Sequence, residues 1–244
     1  MRFRRHRAEP AEGPEDDQAG AVEPAGAEAD DSVAELDSLE LARPHGPWDR
    51  AETDRDAREE GYVDFGGLVV PTTPELEIHV QLDEQSGLGA AILLVAPESA
   101  VELRAFAAPR TEGIWDDVRK EVAAEAARAG GTATEIDGEW GVELACVVPV
   151  QLEDGQQATQ PARIVGVDGP RWLLRGTFYG RSAAEADPDG LVERVFRDTI
   201  VVRGDAAMLP REQIPLSLPP AAEPASGPNG VRPADSLGDQ PPDR

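Results

Sequence analysis

Between Leu76 and Leu82 the chain alternates Leu76, Ile78, Val80 and Leu82 with Glu77, His79 and Gln81. Successive side chains of a strand point to opposite faces, so this period of two buries one face and leaves the other wet. It commits the region to a sheet. Ala91-Ile92-Leu93-Leu94-Val95 is instead a continuous apolar run, as a central strand covered on both faces requires. Tyr62–Phe65, Leu68–Val70 and Val101–Phe106 complete the set, joined by short turns at Gly66-Gly67, Ser86-Gly87 and Pro97-Glu98-Ser99. Strands so connected predict an antiparallel meander.

The period then changes. Trp115, Val118, Val122, Ala126 and Ala129 fall on one helical stripe, with Arg119, Lys120, Glu121 and Glu125 outside it. Asp116 and Asp117 suit the positive N-terminal end of that helix, and Gly130-Gly131 stop it. Further strands are expected over 132–137, 140–149, 161–168 and 171–179. A second helix is expected from Asp187-Pro188, carrying Leu191, Val195 and Phe196 into Ile200-Val201-Val202. This order gives an α+β fold, a mostly antiparallel sheet with two packed helices.

Large apolar residues are sparse before Tyr62 and after Leu218, so residues 1–57 and 221–244 read as disordered tails around a domain over 58–220. Ser32-Val33-Ala34-Glu35 has the form of a capping box, with Val33, Leu36 and Leu39 at helical spacing, which marks 32–41 as a short acidic helix-like segment. After Met208 a Pro-rich arm runs through Leu216 and Leu218. Its leucines need cover, which its own domain or a partner would supply.

Charge narrows the partners. Lys and Arg number 23 against 48 Asp and Glu, a net charge of −25, and Ala8 to Glu40 contains no basic residue. Such a field repels nucleic-acid backbones and anionic membrane surfaces. No apolar run reaches the roughly 18 residues of a membrane span. The basic start Met1-Arg2-Phe3-Arg4-Arg5 is followed by acidic sequence rather than an apolar stretch, so a cytoplasmic location is expected.

Several catalytic designs lack their parts. Lys120 is the one lysine and sits on the polar side of its helix, so there is no P-loop and no kinase strand lysine. His6 and His45 lie in the tail, and His79 lies on the wet face of its strand. Cys146 lies in an apolar strand, where it packs as a small hydrophobe, and being alone it forms no intramolecular disulfide or multi-cysteine metal site. Carboxylates are so abundant that no particular pair stands out. No cofactor or metal is therefore expected.

Arginines remain. Arg171 and Arg175 share a strand face by even spacing, with Trp172 and Leu174 on the other, and Arg110 follows a strand at the mouth of a helix. If the sheet gathers Arg104, Arg110, Arg171 and Arg175, they form a basic island that could contact a carboxylate, a phosphate or an acidic peptide. The simpler alternative is that each is neutralised by a nearby acid.

Several stretches carry a resemblance: Phe106-Ala107-Ala108-Pro109-Arg110, Asp137-Gly138-Glu139-Trp140-Gly141, and Gly166-Val167-Asp168-Gly169-Pro170-Arg171-Trp172. Leu173-Leu174-Arg175-Gly176, Val202-Arg203-Gly204 and the Pro210-Arg211-Glu212 arm extend it. The chain resembles an actinobacterial family of uncharacterised proteins, domain of unknown function 3710, over most of residues 60–220. The resemblance implies no activity, substrate or catalytic residue. In element order the chain is also similar to the sheet-and-helix sandwich of Mog1/PsbP-like domains, which carries no function with it. The residues thus weigh against an enzyme and toward a protein-interaction or accessory role. The alternative is a small anionic-ligand-binding domain or a carboxylate- and arginine-dependent enzyme, and a nucleic-acid-associated role ranks third.

Overall fold

A computed structural model describes residues 45–55, 61–83, 87–151 and 154–218. Of the expected tails over 1–57 and 221–244, residues 1–44, 56–57 and 221–244, including the helix-like stretch 32–41, lie outside the described residues.

The fold is α+β, with two sheets. The smaller sheet contains β1 (Trp48–Asp49), β2 (Tyr62–Asp64), β3 (Leu68–Pro71) and β11 (Ile200–Val201) in the order β1-β11-β3-β2. Only the β1–β11 pairing is parallel. The larger sheet contains β4 (Glu77–Leu82), β5 (Gly89–Val95), β6 (Ser99–Ala107), β7 (Thr132–Gly138), β8 (Gly141–Gln151), β9 (Gln157–Gly169) and β10 (Trp172–Gly180). Its order is β4-β5-β6-β10-β9-β8-β7, and every neighbouring pair is antiparallel. The first run of strands is therefore divided between sheets rather than forming one meander. Pro71 and Pro74 flank the crossing from β3 to β4 and carry no N–H to continue a ladder there.

The strand periodicity sets two cores. Trp172, Leu174 and Phe178 of β10 face the smaller sheet, where Ile92, Leu94, Leu103, Val165, Leu68 and Val70 join them in the main cluster. Helix α3 (Leu191–Asp198) seals that layer with Val192, Val195 and Phe196, and Phe196 meets Phe178 edge-on at 5.6 Å. Each such fully buried side chain contributes roughly 2 kcal/mol. On the opposite face Leu173 packs with Ile114 and Trp115 at the start of α1 (Trp115–Arg128), while Leu144, Cys146 and Ala162 pack under its middle. A short helix, α2 (Arg181–Ala184), follows β10 directly.

Three boundaries differ from the sequence pattern. The folded unit extends N-terminally past residue 57: Trp48 N–H donates to Thr199 O at 2.9 Å, and Asp49 accepts from Trp172 Nε1 at 2.7 Å. Composition could not show this, because two residues suffice to pair with β11. Helix α3 starts at Leu191 rather than at Asp187. Asp187 instead closes a turn by accepting from Asp189 N, and Gly190 N returns to Asp187 O. Arg119 is buried, although it lies off the apolar stripe, because Asp116 at 2.8 Å and Glu135 of β7 at 2.9 Å neutralise it.

The Pro-rich arm lies on its own domain. It enters where β5 and β6 splay apart: Ile214 N donates to Ala105 O, and Leu216 exchanges backbone bonds of 3.1 Å with Gly89. Ile214 and Leu216 are buried in the main core, and Ser217 N bonds Phe65 O, so the arm ties the two sheets together.

Candidate functional site

The family-like stretch from Gly166 to Trp172 has a structural explanation residue by residue. Asp168 on β9 reaches across to cap α1, accepting from Ile114 N at 2.8 Å and Trp115 N at 3.2 Å. Two N–H groups that the helix itself leaves unsatisfied are thereby paired with a carboxylate at the positive end of the dipole. Gly166 lies directly beneath the Trp115 indole, where an added Cβ would sit 2.2 Å from the ring. Pro170 and Arg171 make the β9–β10 turn, with Arg171 at a φ of 65°. Together these contacts fix where α1 sits on the sheet.

Helix α1 lies over β7, β8 and β9. On the same face of β5, β6 and β10, Leu93, Glu102, Arg104, Phe106, Arg175 and Tyr179 are only half-buried. Along the step between covered and open halves runs a groove of about 230 Å³, lined by Phe106, Ile114, Val118, Val122, Glu121, Glu125, Arg175 and Arg211. Arg211 bonds Glu121 and lies 3.3 Å from Asp117, so the arm closes one end through ion pairs to α1.

Arg175 is the unsatisfied group of this groove. Its guanidinium carbon lies 5.5 Å from the centre of the Phe106 ring, and its Nε is buried with no hydrogen-bond partner. Directly across the ladder stands Arg104. Arg104 is neutralised by Glu102, Nε to Oε1 at 2.6 Å, and donates to Gln81 Oε1 at 3.2 Å. Burial first, and then the like charge of Arg104, pull the Arg175 titration below the ordinary arginine range, against the opposing pull of Glu102. The Tyr179 phenol is pushed up, by burial and then by Glu102.

The four arginines singled out in the sequence do not converge. Arg104 and Arg175 meet as register partners. Arg171 belongs to the turn preceding β10 rather than to the strand, and its charge is felt instead by Arg203. Arg110 is exposed on the loop between β6 and α1. Cys146 is a buried free thiol beneath α1, and burial pushes its pKa up, away from the reactive thiolate. Lys120 is exposed, and His79 faces Glu77 at 3.6 Å. No group of three His, Cys, Asp or Glu side chains among the described residues is placed to hold a metal ion, and no described helix is long and apolar enough to cross a membrane.

Sequence reasoning missed a buried ion network on the other face. Arg163 of β9, 2% exposed, donates to Glu143 Oε2 and Glu193 Oε1, each at 2.9 Å, and through Nε to Ser182 O at 2.8 Å. Its guanidinium lies 4.3 Å from the Phe178 ring centre. Ser182 Oγ donates to Glu193 Oε2 at 3.2 Å and lies 3.0 Å from Ser99 Oγ. A signal was present: Arg163 has the same strand parity as the core residues Val165 and Val167.

Fold and groove together define a two-sheet α+β domain with one half-covered sheet face. The family model described as a protein of unknown function (DUF3710) matches residues 46–225, and the chain belongs to that family. The match begins close to β1 and runs past the arm. No curated protein matches the chain.

Proposed function

We propose that this domain is a non-catalytic binding module that docks an extended polypeptide segment along the open half of the larger sheet and in the groove beside α1. The observation that carries this reading is the uneven cover of one sheet face. Leu93, Phe106 and Tyr179 remain half-buried there, while α1 covers the neighbouring strands. A sheet in a domain with a complete core leaves such a face either polar throughout or available to a partner. The groove holds guanidinium groups and carboxylates but no nucleophile beside a base. The nearest thiol and phenol, Cys146 and Tyr179, are both shifted toward their protonated forms. Burial of Ile214 and Leu216 in the core removes those two side chains of the arm as a contact surface, while Leu209 and Leu218 stay exposed.

Site-specific photocrosslinking in the native host tests the reading. A photoreactive residue at Leu93 or Val118 is expected to give adducts with a shared polypeptide, whereas one at Ile136, exposed on β7, gives none. Absence of adducts above the Ile136 background at both Leu93 and Val118 overturns it.

A further inference from the structure

Resting on the binding-module reading, we propose that the groove beside α1 is a recognition site for a carboxylate carried on a short apolar stem, with the Arg175 guanidinium as the group that receives it.

Two observations and the shape of the guanidinium group converge on that chemistry. The Nε–H of Arg175 is buried without an acceptor, a condition that costs free energy until a partner arrives. Its acidic neighbour on the sheet, Glu102, is already committed to Arg104 at 2.6 Å and to Gln81 at 3.1 Å, so on the sheet itself Arg104 and Arg175 share one carboxylate. A planar guanidinium also matches a carboxylate geometrically, through paired N–H donors.

The surroundings select among anions. Glu121 and Glu125 of α1 line the same groove, so a dianion such as a phosphate monoester meets about twice the repulsion that a single carboxylate does. Phe106, Ile114, Val118 and Val122 supply an apolar wall for the stem. A volume of about 230 Å³ suits one side chain or a small acid. Sites for larger ligands begin at roughly 300 Å³. The carboxylate can belong to a free small acid or to the C-terminal residue of a peptide.

Arginine Nε–Hε resonances of the full chain report the site directly. The probes are sodium hexanoate, hexanamide, and the tripeptide Gly-Gly-Leu with a free or an amidated C-terminus. Hexanoate is expected to move the Arg175 resonance and the Val118 and Val122 methyls, with affinity about tenfold or more above hexanamide. Free Gly-Gly-Leu is expected to exceed its amide similarly. The tighter of the two acids identifies the source, and either result supports the site. Arg175→Gln, checked for an unchanged amide spectrum, is expected to erase the discrimination, and Arg110→Gln to leave it intact.

Equal response to hexanoate and hexanamide in the unmodified protein overturns the proposal, whatever the fate of the variants. Discrimination that survives Arg175→Gln does the same. If crosslinks form at Leu93 and Val118 while the acid and amide probes behave alike, the contact face stands and the carboxylate chemistry falls. Carboxylate binding without crosslinks upholds the Arg175 site and removes the polypeptide contact.

Discussion

Arg163 and Arg175 lie on adjacent strands of one sheet and project from opposite faces, and each guanidinium sits near a phenylalanine ring, Phe178 at 4.3 Å and Phe106 at 5.5 Å. Their electrostatic settings are opposite. Arg163 is closed in: two carboxylates and a carbonyl take its donors, and Glu143 and Glu193 are each 1% exposed. Arg175 is left open, with an orphan Nε and another arginine across the ladder. A guanidinium saturated by its own fold has its donors committed to that fold. One held beside a groove without an acceptor keeps its donors for a ligand. Burial alone does not tell Arg163 from Arg175; the state of their donors does.

The contrast breaks most visibly if Arg163 proves dispensable. Arg163→Met keeps much of the side-chain volume but leaves two buried carboxylates without their cation. Losing one partner of a buried ion network costs about 3–5 kcal/mol. Urea unfolding of the variant is expected to show a loss of that size, or no cooperative transition at all. A loss below about 1 kcal/mol would mean that the network contributes little, and that its closed geometry is no guide to a structural role.

A finer cut separates the two acids. Glu193 uses both oxygens, one with Arg163 and one with Ser182, whereas Glu143 uses Oε2 and leaves Oε1 buried without a hydrogen-bond partner. Glu193→Gln is therefore expected to cost about 1–3 kcal/mol, since one of its two bonds must weaken or lose its acceptor. Glu143→Gln should cost less, under about 1 kcal/mol, because the amide oxygen still accepts from Arg163. Denaturant midpoints for the pair check the order. The reverse order would place the centre of the network at Glu143.

The sequence revealed what local periodicity controls and little of what long-range pairing controls. The alternation at Leu76–Leu82, the stripe from Trp115 to Ala126 and the apolar setting of Cys146 predicted their structural roles, because each is read within a few residues, whereas Ala129, the stripe's last member, is exposed at the helix end. The division into two sheets, the insertion of the arm between β5 and β6, and the capping of α1 by Asp168 depend on partners tens of residues away. The candidate site was half readable for the same reason. Parity placed Arg175 on a face, but its meeting with Arg104 needed the β6–β10 register, and the separation of Arg171 needed the positive φ of the turn. Arg163 escaped notice although its charge interrupts the core parity of Val165 and Val167. That position becomes informative only when Glu143 and Glu193, on two other elements, supply the matching charges.

The smallest expected effect on stability is also the sharpest test of the comparison. Arg175→Met removes a guanidinium that is desolvated without an acceptor and faces a like charge, both unfavourable in the free protein. Against that stands the Phe106 contact, worth about 0.5–1 kcal/mol. The methionine keeps an apolar side chain beside Phe106. These terms nearly cancel, so the unfolding free energy from urea titration should move by less than about 1 kcal/mol, in either direction. The same variant should lose its preference for hexanoate over hexanamide. A stability loss of about 3 kcal/mol, comparable to that of Arg163→Met, would show that the fold already supplies Arg175 with a partner, and the distinction between closed and open guanidinium groups would not hold.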